Sequence, residues 1–121
     1  MTSAPHSRQF DLEDRTFVFA QAVRGFVPLL PRTVSNAEDV RQLIRSSGSV
    51  GANYIEANES LSKKDFLPRI KICRKEAKES RYWLMLLSLG EGHSLEEKRS
   101  KLVCEAGELL RIFASIVAKA E

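Results

Sequence analysis

At 121 residues the chain suits one domain, large enough to bury a core without disulfide or metal staples. Hydrophobic residues make up 43% and charged residues 29%, which excludes a disordered chain, and no apolar run is long enough for a transmembrane helix. The net charge of +3 is too mild to mark a nucleic-acid binder by itself. Its distribution is uneven: residues 63–81 hold eight basic residues against three acidic ones, a balance of +5, which leaves −2 for the rest.

Residues 1–9 are polar, lack the apolar stretch of a signal peptide, and read as a flexible tail before a domain of residues 10–121. The expected location is the cytoplasm. The first helix is expected to open at Phe10-Asp11-Leu12-Glu13-Asp14, with Asp11 as a cap and acids in the first turn. Phe19, Ala22, Val23 and Phe26 follow at helical spacing, widened by Phe17 and Val27, and Pro28 and Pro31 close or bend the last turn. Ser35 and Glu38 fit a capping box for the second helix, whose stripe is Val40, Leu43, Ile44, Ser47, Gly51, Tyr54 and Ile55. Its middle, Ser46 to Ala52, holds two glycines that cost roughly 1 kcal/mol each in a helix interior. The apolar period runs straight through them, so the segment reads as helix whose small residues admit a close neighbour. A phosphate-binding loop would need a lysine and a preceding strand that are missing.

The third helix is expected from near Ser62 or Asp65, with Pro68 in its first turn or at a bend. Its stripe is Phe66, Ile70, Cys73, Ala77, Ser80, Leu84 and Leu87, and Gly90 and Gly92 stop it. Ser94 to Glu97 repeats the capping box, and Leu102, Ala106, Leu109, Leu110, Phe113, Ile116 and Val117 form the fourth stripe. With short connections and no strand-like alternation, the fold class is all-α, an antiparallel up-down-up-down four-helix bundle. Cys73 and Cys104 both read as small core residues. His6 falls in the tail and His93 in a loop bounded by glycine, neither with an acid–base partner. No metal site or cofactor is expected, since there is no Glu-x-x-His motif and no His or Cys one turn from either cysteine. Asn53 and Glu56, one turn apart, read as a hydrogen-bonded brace or a partner-facing contact, the brace preferred.

At about 100° per residue the third helix divides into three sectors. One is the core stripe. A second holds Lys71, Arg74, Lys78 and Arg81. A third holds Ile72, Glu76, Glu79, Trp83 and Leu86. A monomeric bundle helix needs one apolar stripe, so Ile72, Trp83 and Leu86 read as a subunit contact, the alternative being that Trp83 only widens the core. The basic stripe reads either as a solvated face paired to Glu76, Glu79 and neighbouring acids, or as a phosphate-contacting track without base stacking.

The stretch Val40 to Ala57, with its Gly51-Ala52-Asn53-Tyr54-Ile55-Glu56-Ala57 wording, resembles the signature helix of the bacterial four-helix bundle proteins, also called ribosomal-RNA intervening-sequence proteins. Ser62 to Phe66 and Lys75 to Leu84 resemble that family's third helix, and the likeness spans about residues 10–118. Pro68 and Met85 depart from the pattern and bear on local geometry only. The resemblance implies a left-handed bundle, a homo-oligomeric ring (a pentamer), and no enzyme activity. Relatives include the accessory protein of diversity-generating retroelements, a partner of reverse transcriptase and RNA. The reading is a non-enzymatic homo-oligomeric scaffold that binds RNA or DNA, or a nucleic-acid-processing enzyme, with no membrane partner. Lys71, Arg74, Lys78 and Arg81 would contact phosphate, with Arg41 and Arg45 as helpers from the second helix. Ile72, Trp83 and Leu86 would hold subunits together. One alternative is a protein-interaction module whose basic face docks an acidic partner. Another is an enzyme using Asn53 and Glu56 in a pocket between subunits.

Overall fold

A computed structural model describes residues 8–91 and 93–121, with side chains from Leu12 onward. Its helices are α1 (Arg8–Phe26), α2 (Val34–Asn58), α3 (Lys63–Leu86) and α4 (His93–Ala120), and a 3-10 turn at Val27–Leu29 follows α1. No strand occurs among the described residues. Residues 1–7 of the expected tail lie outside the described residues, and α1 already includes Arg8 and Gln9.

Contacts between consecutive helices run in opposite sequence order, which makes every neighbouring pair antiparallel. Between α1 and α2, Asn58 donates to Glu13 at 2.7 Å while Gly51 lies against Thr16. Between α2 and α3, Arg69 donates to Asn53 at 3.0 Å, and the hydroxyls of Ser80 and Ser46 are hydrogen-bonded at 2.9 Å. Lys71 meets Glu121 at 3.2 Å, joining the start of α3 to the end of α4. Arg15 of α1 grips Glu105 of α4 through two hydrogen bonds of 2.7 and 2.8 Å. The up-down-up-down bundle expected from the four apolar stripes is therefore the observed fold.

The core is built from those stripes: Phe19 and Val23, Leu43 and Val50, Ile70 and Leu84, and Leu109 and Phe113 are all fully buried. Tyr54 packs tilted against Phe113 with ring centroids 5.7 Å apart. Burial there raises the phenol's pKa above its ordinary value. Along α1 the buried face is Leu12, Thr16, Phe19, Val23 and Phe26, whereas Ala22 and Phe17 are exposed.

The helix ends differ from several expectations. Thr33, two residues before Ser35, caps α2 by accepting from the Asn36 N–H at 3.1 Å, and Glu38 instead pairs with Arg41. Both hydroxyl residues can cap; the extended backbone at Thr33 decides. Asp11 falls three residues inside α1 rather than at its cap. His93 and Ser94 are helical, so His93 is no loop residue and Ser94 no cap. Ser62 caps α3 as expected. Pro68 is the sixth residue of α3, beyond the first turn, and the carbonyl it leaves without a donor belongs to the exposed Lys64.

The other end of α3 is capped from outside. Arg99 of α4 donates to the carbonyls of Leu84, Met85 and Leu87 at 3.2, 3.2 and 2.9 Å, placing a cation on the negative pole of the helix. The loop that follows turns at Gly90, whose φ of 69° lies in the left-handed region. Buried Asn36 clamps this loop. Its amide donates to the carbonyls of Pro31 and Ser88 at 2.9 and 2.8 Å, and its oxygen accepts from the Ser88 N–H at 2.9 Å.

The small-residue segment of α2 is helical throughout. Ser46 and Ser47 are buried, and a Cβ on Gly51 would stand 2.9 Å from Thr16 Oγ1 and 3.3 Å from its Cβ. Thr16 cannot yield easily, because its hydroxyl donates back to the Leu12 carbonyl at 2.8 Å in a buried site. Cys73 is buried as expected, its thiol pushed up to about 12 by desolvation. Cys104 is exposed, contrary to expectation: two residues beyond Leu102, it lies roughly 200° around α4 from the core face.

Gly51→Ala is expected to lower stability by about 1–3 kcal/mol although alanine is the better helix former, and Thr16→Ala in the same chain to restore part of the loss, both read by denaturant unfolding. A thiol reagent at neutral pH should modify Cys104 in the native protein and Cys73 only after unfolding; fast reaction at both would contradict the packing around Cys73.

Candidate nucleic-acid interface

With Ile70, Cys73, Ala77, Ser80 and Leu84 turned into the core, α3 presents one edge to α2 and the other to α4. The two edges carry opposite charge. On the α2 edge stand Glu76 and Glu79, which meet Arg45 at 3.8 and 3.5 Å. On the α4 edge, Lys71 pairs with Glu121 and Arg81 lies over Gly107. Arg74 and Lys78 fall between them on the same stripe, because steps of three and four residues stay on one side of a helix. The structure thus brings Lys71, Arg74, Lys78 and Arg81 together along the α3–α4 seam. Arg74 is half-buried; Lys78 and Arg81 are exposed. Among the described residues, none of these three forms an ion pair. The carboxylates that would have neutralised the stripe are engaged by Arg45 instead.

Arg41 and Arg45 do not join the track. α2 packs on the opposite edge of α3, so the Glu76–Glu79 row separates them from it. Arg41 is held by Glu38 at 2.9 Å, an exposed pair of little energetic weight. A residue absent from the sequence-based set does join: Arg111 of α4 also lies over Gly107. Its sequence signal is only its position one turn past a glycine in a helix; the pairing across α3 and α4 needs the fold.

The third sector is redistributed. Glu76, expected on an outer face with Trp83, is only 5% exposed, since it abuts α2 beside the Ser46–Ser80 contact. Ile72 and Trp83 are half-buried, and Trp83 packs partly against the core. Leu86 is 48% exposed, and Tyr82 and Met85, not singled out by the pattern, are 57% and 55% exposed. Tyr82 meets Trp83 edge-on at 5.2 Å, so an apolar patch forms at the end of α3. Among the described residues, the indole Nε1 of Trp83 and Oε1 of Glu76 are buried without a hydrogen-bond partner.

Asn53 and Glu56 do not share a site. The Asn53 amide donates to the Ser49 carbonyl at 2.9 Å and its oxygen accepts from Arg69, so it braces α2 against α3, while Glu56 is exposed. Among the described residues, no group of three or more His, Cys, Asp or Glu is placed to hold a metal ion, and no helix is long and apolar enough to cross a membrane.

These features define an antiparallel four-helix bundle with a basic seam between its last two helices. The chain belongs to the 23S rRNA-intervening sequence protein family, whose profile matches residues 8–115. It is also similar to the crystal structure of a protein of unknown function from the S23 ribosomal protein family of Bacteroides thetaiotaomicron VPI-5482. That likeness has a TM-score of 0.72 and 28% identity, and covers 87% of this chain and 96% of that one. No curated protein matches the chain. The resemblance expected from the α2 and α3 wording is therefore established.

Arg45→Ala should cost about 1–2 kcal/mol, because it strands the buried Glu76 carboxylate, and Glu76→Gln added to it should recover most of the loss. Unchanged unfolding of Arg45→Ala would show that Glu76 does not depend on this arginine.

Proposed function

We propose that the protein is a non-enzymatic, homo-oligomeric scaffold of the cytoplasm that binds the phosphate backbone of nucleic acid through the α3–α4 seam. It acts on its own or by presenting that strand to a nucleic-acid-processing enzyme. The observation that carries this reading is the row Arg74, Lys78 and Arg81, which shares one helix edge and meets no carboxylate among the described residues. Cations left without acidic partners on an accessible edge are what counterion release from a polyphosphate requires. An acidic protein would satisfy the same charges; a polyphosphate suits a row of cations spaced along one helix edge, so RNA is the first ligand to test.

Assembly is the second part of the proposal. Trp83 and Leu86, joined by Tyr82 and Met85, form the apolar patch at the end of α3, Ile72 lies about three turns earlier on the same sector, and Trp83 keeps a buried N–H without an acceptor among the described residues. A subunit contact there would cover the exposed side chains. Each added copy would repeat the basic seam and strengthen its field.

Binding to single-stranded RNA should weaken about 50-fold between 50 and 200 mM salt if about four phosphates are neutralised per protomer. Arg74→Glu with Lys78→Glu should cut affinity at least tenfold and flatten that dependence. Retention unaffected by the double reversal would remove the seam from consideration, and partner capture that survives nuclease would favour an acidic protein. Light scattering should give a mass well above the 13.6 kDa chain, lowered by Met85→Glu with Leu86→Glu; a wild-type monomer across micromolar concentrations would defeat the assembly claim.

A further inference from the structure

We infer that Arg81 of α3 and Arg111 of α4 together form a site for a single phosphate group, bridging the two helices above Gly107. The inference rests on the reading of the α3–α4 seam as a phosphate-binding edge and deepens it by naming where one phosphate is gripped. Both side chains converge on one point. A Cβ placed on Gly107 would stand 3.8 Å from Arg81 Nε and 3.7 Å from Arg111 Nη1. Two guanidinium groups therefore hang over the same turn of α4, one from each helix.

Two cations this close create a local field that favours an anion. The nearest acids on α4 are Glu105 and Glu108; Glu108 lies one turn before Arg111, but both carboxylates are engaged by Arg15 of α1. Among the described residues, neither Arg81 nor Arg111 forms an ion pair. Both side chains are exposed, so a polymer can reach them.

Gly107 marks where the two side chains meet. It is buried in the interior of α4, where glycine is the least favourable residue apart from proline. No positive φ requires it, and a Cβ would make only ordinary van der Waals contacts. With no side chain at Gly107, both arginines lie close against this turn of α4. A phosphate seated on the exposed ends of the two side chains can accept from both guanidinium groups, through the forked N–H geometry that suits its oxygens. Lysine at either position would keep the charge and lose the fork.

The source of the phosphate is the backbone of nucleic acid, and two probes separate that from a free anion: labelled single-stranded RNA followed by anisotropy, and inorganic pyrophosphate followed by the arginine Nε signals in NMR. Arg81→Gln and Arg111→Gln should each weaken RNA binding about five- to tenfold, and the double variant only slightly further, because both act on one phosphate. Arg111→Lys should recover little. Pyrophosphate should shift the Nε signals of both arginines in the wild type and of neither remaining partner in the single variants. If Arg111→Gln binds RNA like the wild type while Arg74→Glu with Lys78→Glu abolishes binding, the bridge is wrong and the seam stands. If the wild type ignores RNA yet pyrophosphate moves both signals, the bridge stands as a site for a free phosphate and the nucleic-acid reading falls. If pyrophosphate moves neither signal and the losses of the two variants multiply, the bridge is overturned.

Discussion

The close approach of α1 and α3 to the middle of α2 governs the geometry of everything else. At Gly51 the Thr16 side chain occupies the space a Cβ would take, and at Ser46 the Ser80 hydroxyl lies within hydrogen-bond distance. Larger residues at either point would push a neighbour outward and leave gaps that the buried aromatic and aliphatic residues could not fill. At Gly51 the helix-propensity cost, about 1 kcal/mol, is offset by the contact with Thr16, whereas at Gly48 only the end of the Arg24 side chain is near. With α2 pressed against α3 in this register, Arg45 reaches Glu76 and Glu79, and Asn53 reaches Arg69.

That register also sorts the charges. A helix with alternating acids and bases would ordinarily neutralise itself through pairs three and four residues apart. In α3 the acids on the α2 edge are drawn to Arg45, and the bases on the α4 edge are left facing a helix that offers Gly107 and Arg111 where acids would balance them. The positive seam is thus a product of packing as much as of composition. Arg99 serves a different end: it closes the carbonyls of the last turn of α3 and, with the Asn36 clamp on Ser88, fixes where that seam stops.

Much of this was legible in the sequence. The stripe from Ile70 to Leu87 and the core of α4 from Leu102 to Val117 follow from helical periodicity alone, and the close packing read from the small residues of α2 holds at Ser46, Ser47 and Gly51 but not at Gly48. The four bases of α3 are legible too, because they depend only on phase within one helix. What failed depended on phase errors or on register between helices. Cys104 was placed inside by its apolar neighbours although it is two residues out of step with Leu102. Glu76 reads as outward-facing from α3 alone, because the α2 residues that bury it are set by the register between the helices. Arg111 and the Asn36 clamp involve partners many residues away, and Thr33 and Ser35 were equally able to cap until the backbone chose between them.

Native-state hydrogen exchange of the α2 amides tests the central constraint most directly. If close packing at Ser46, Ser47 and Gly51 holds the bundle together, amides of residues 46–54 will exchange only through global unfolding, with protection equal to the full stability of the protein. Exchange of that segment through local opening, while the ends of α3 and α4 stay protected, would contradict the account.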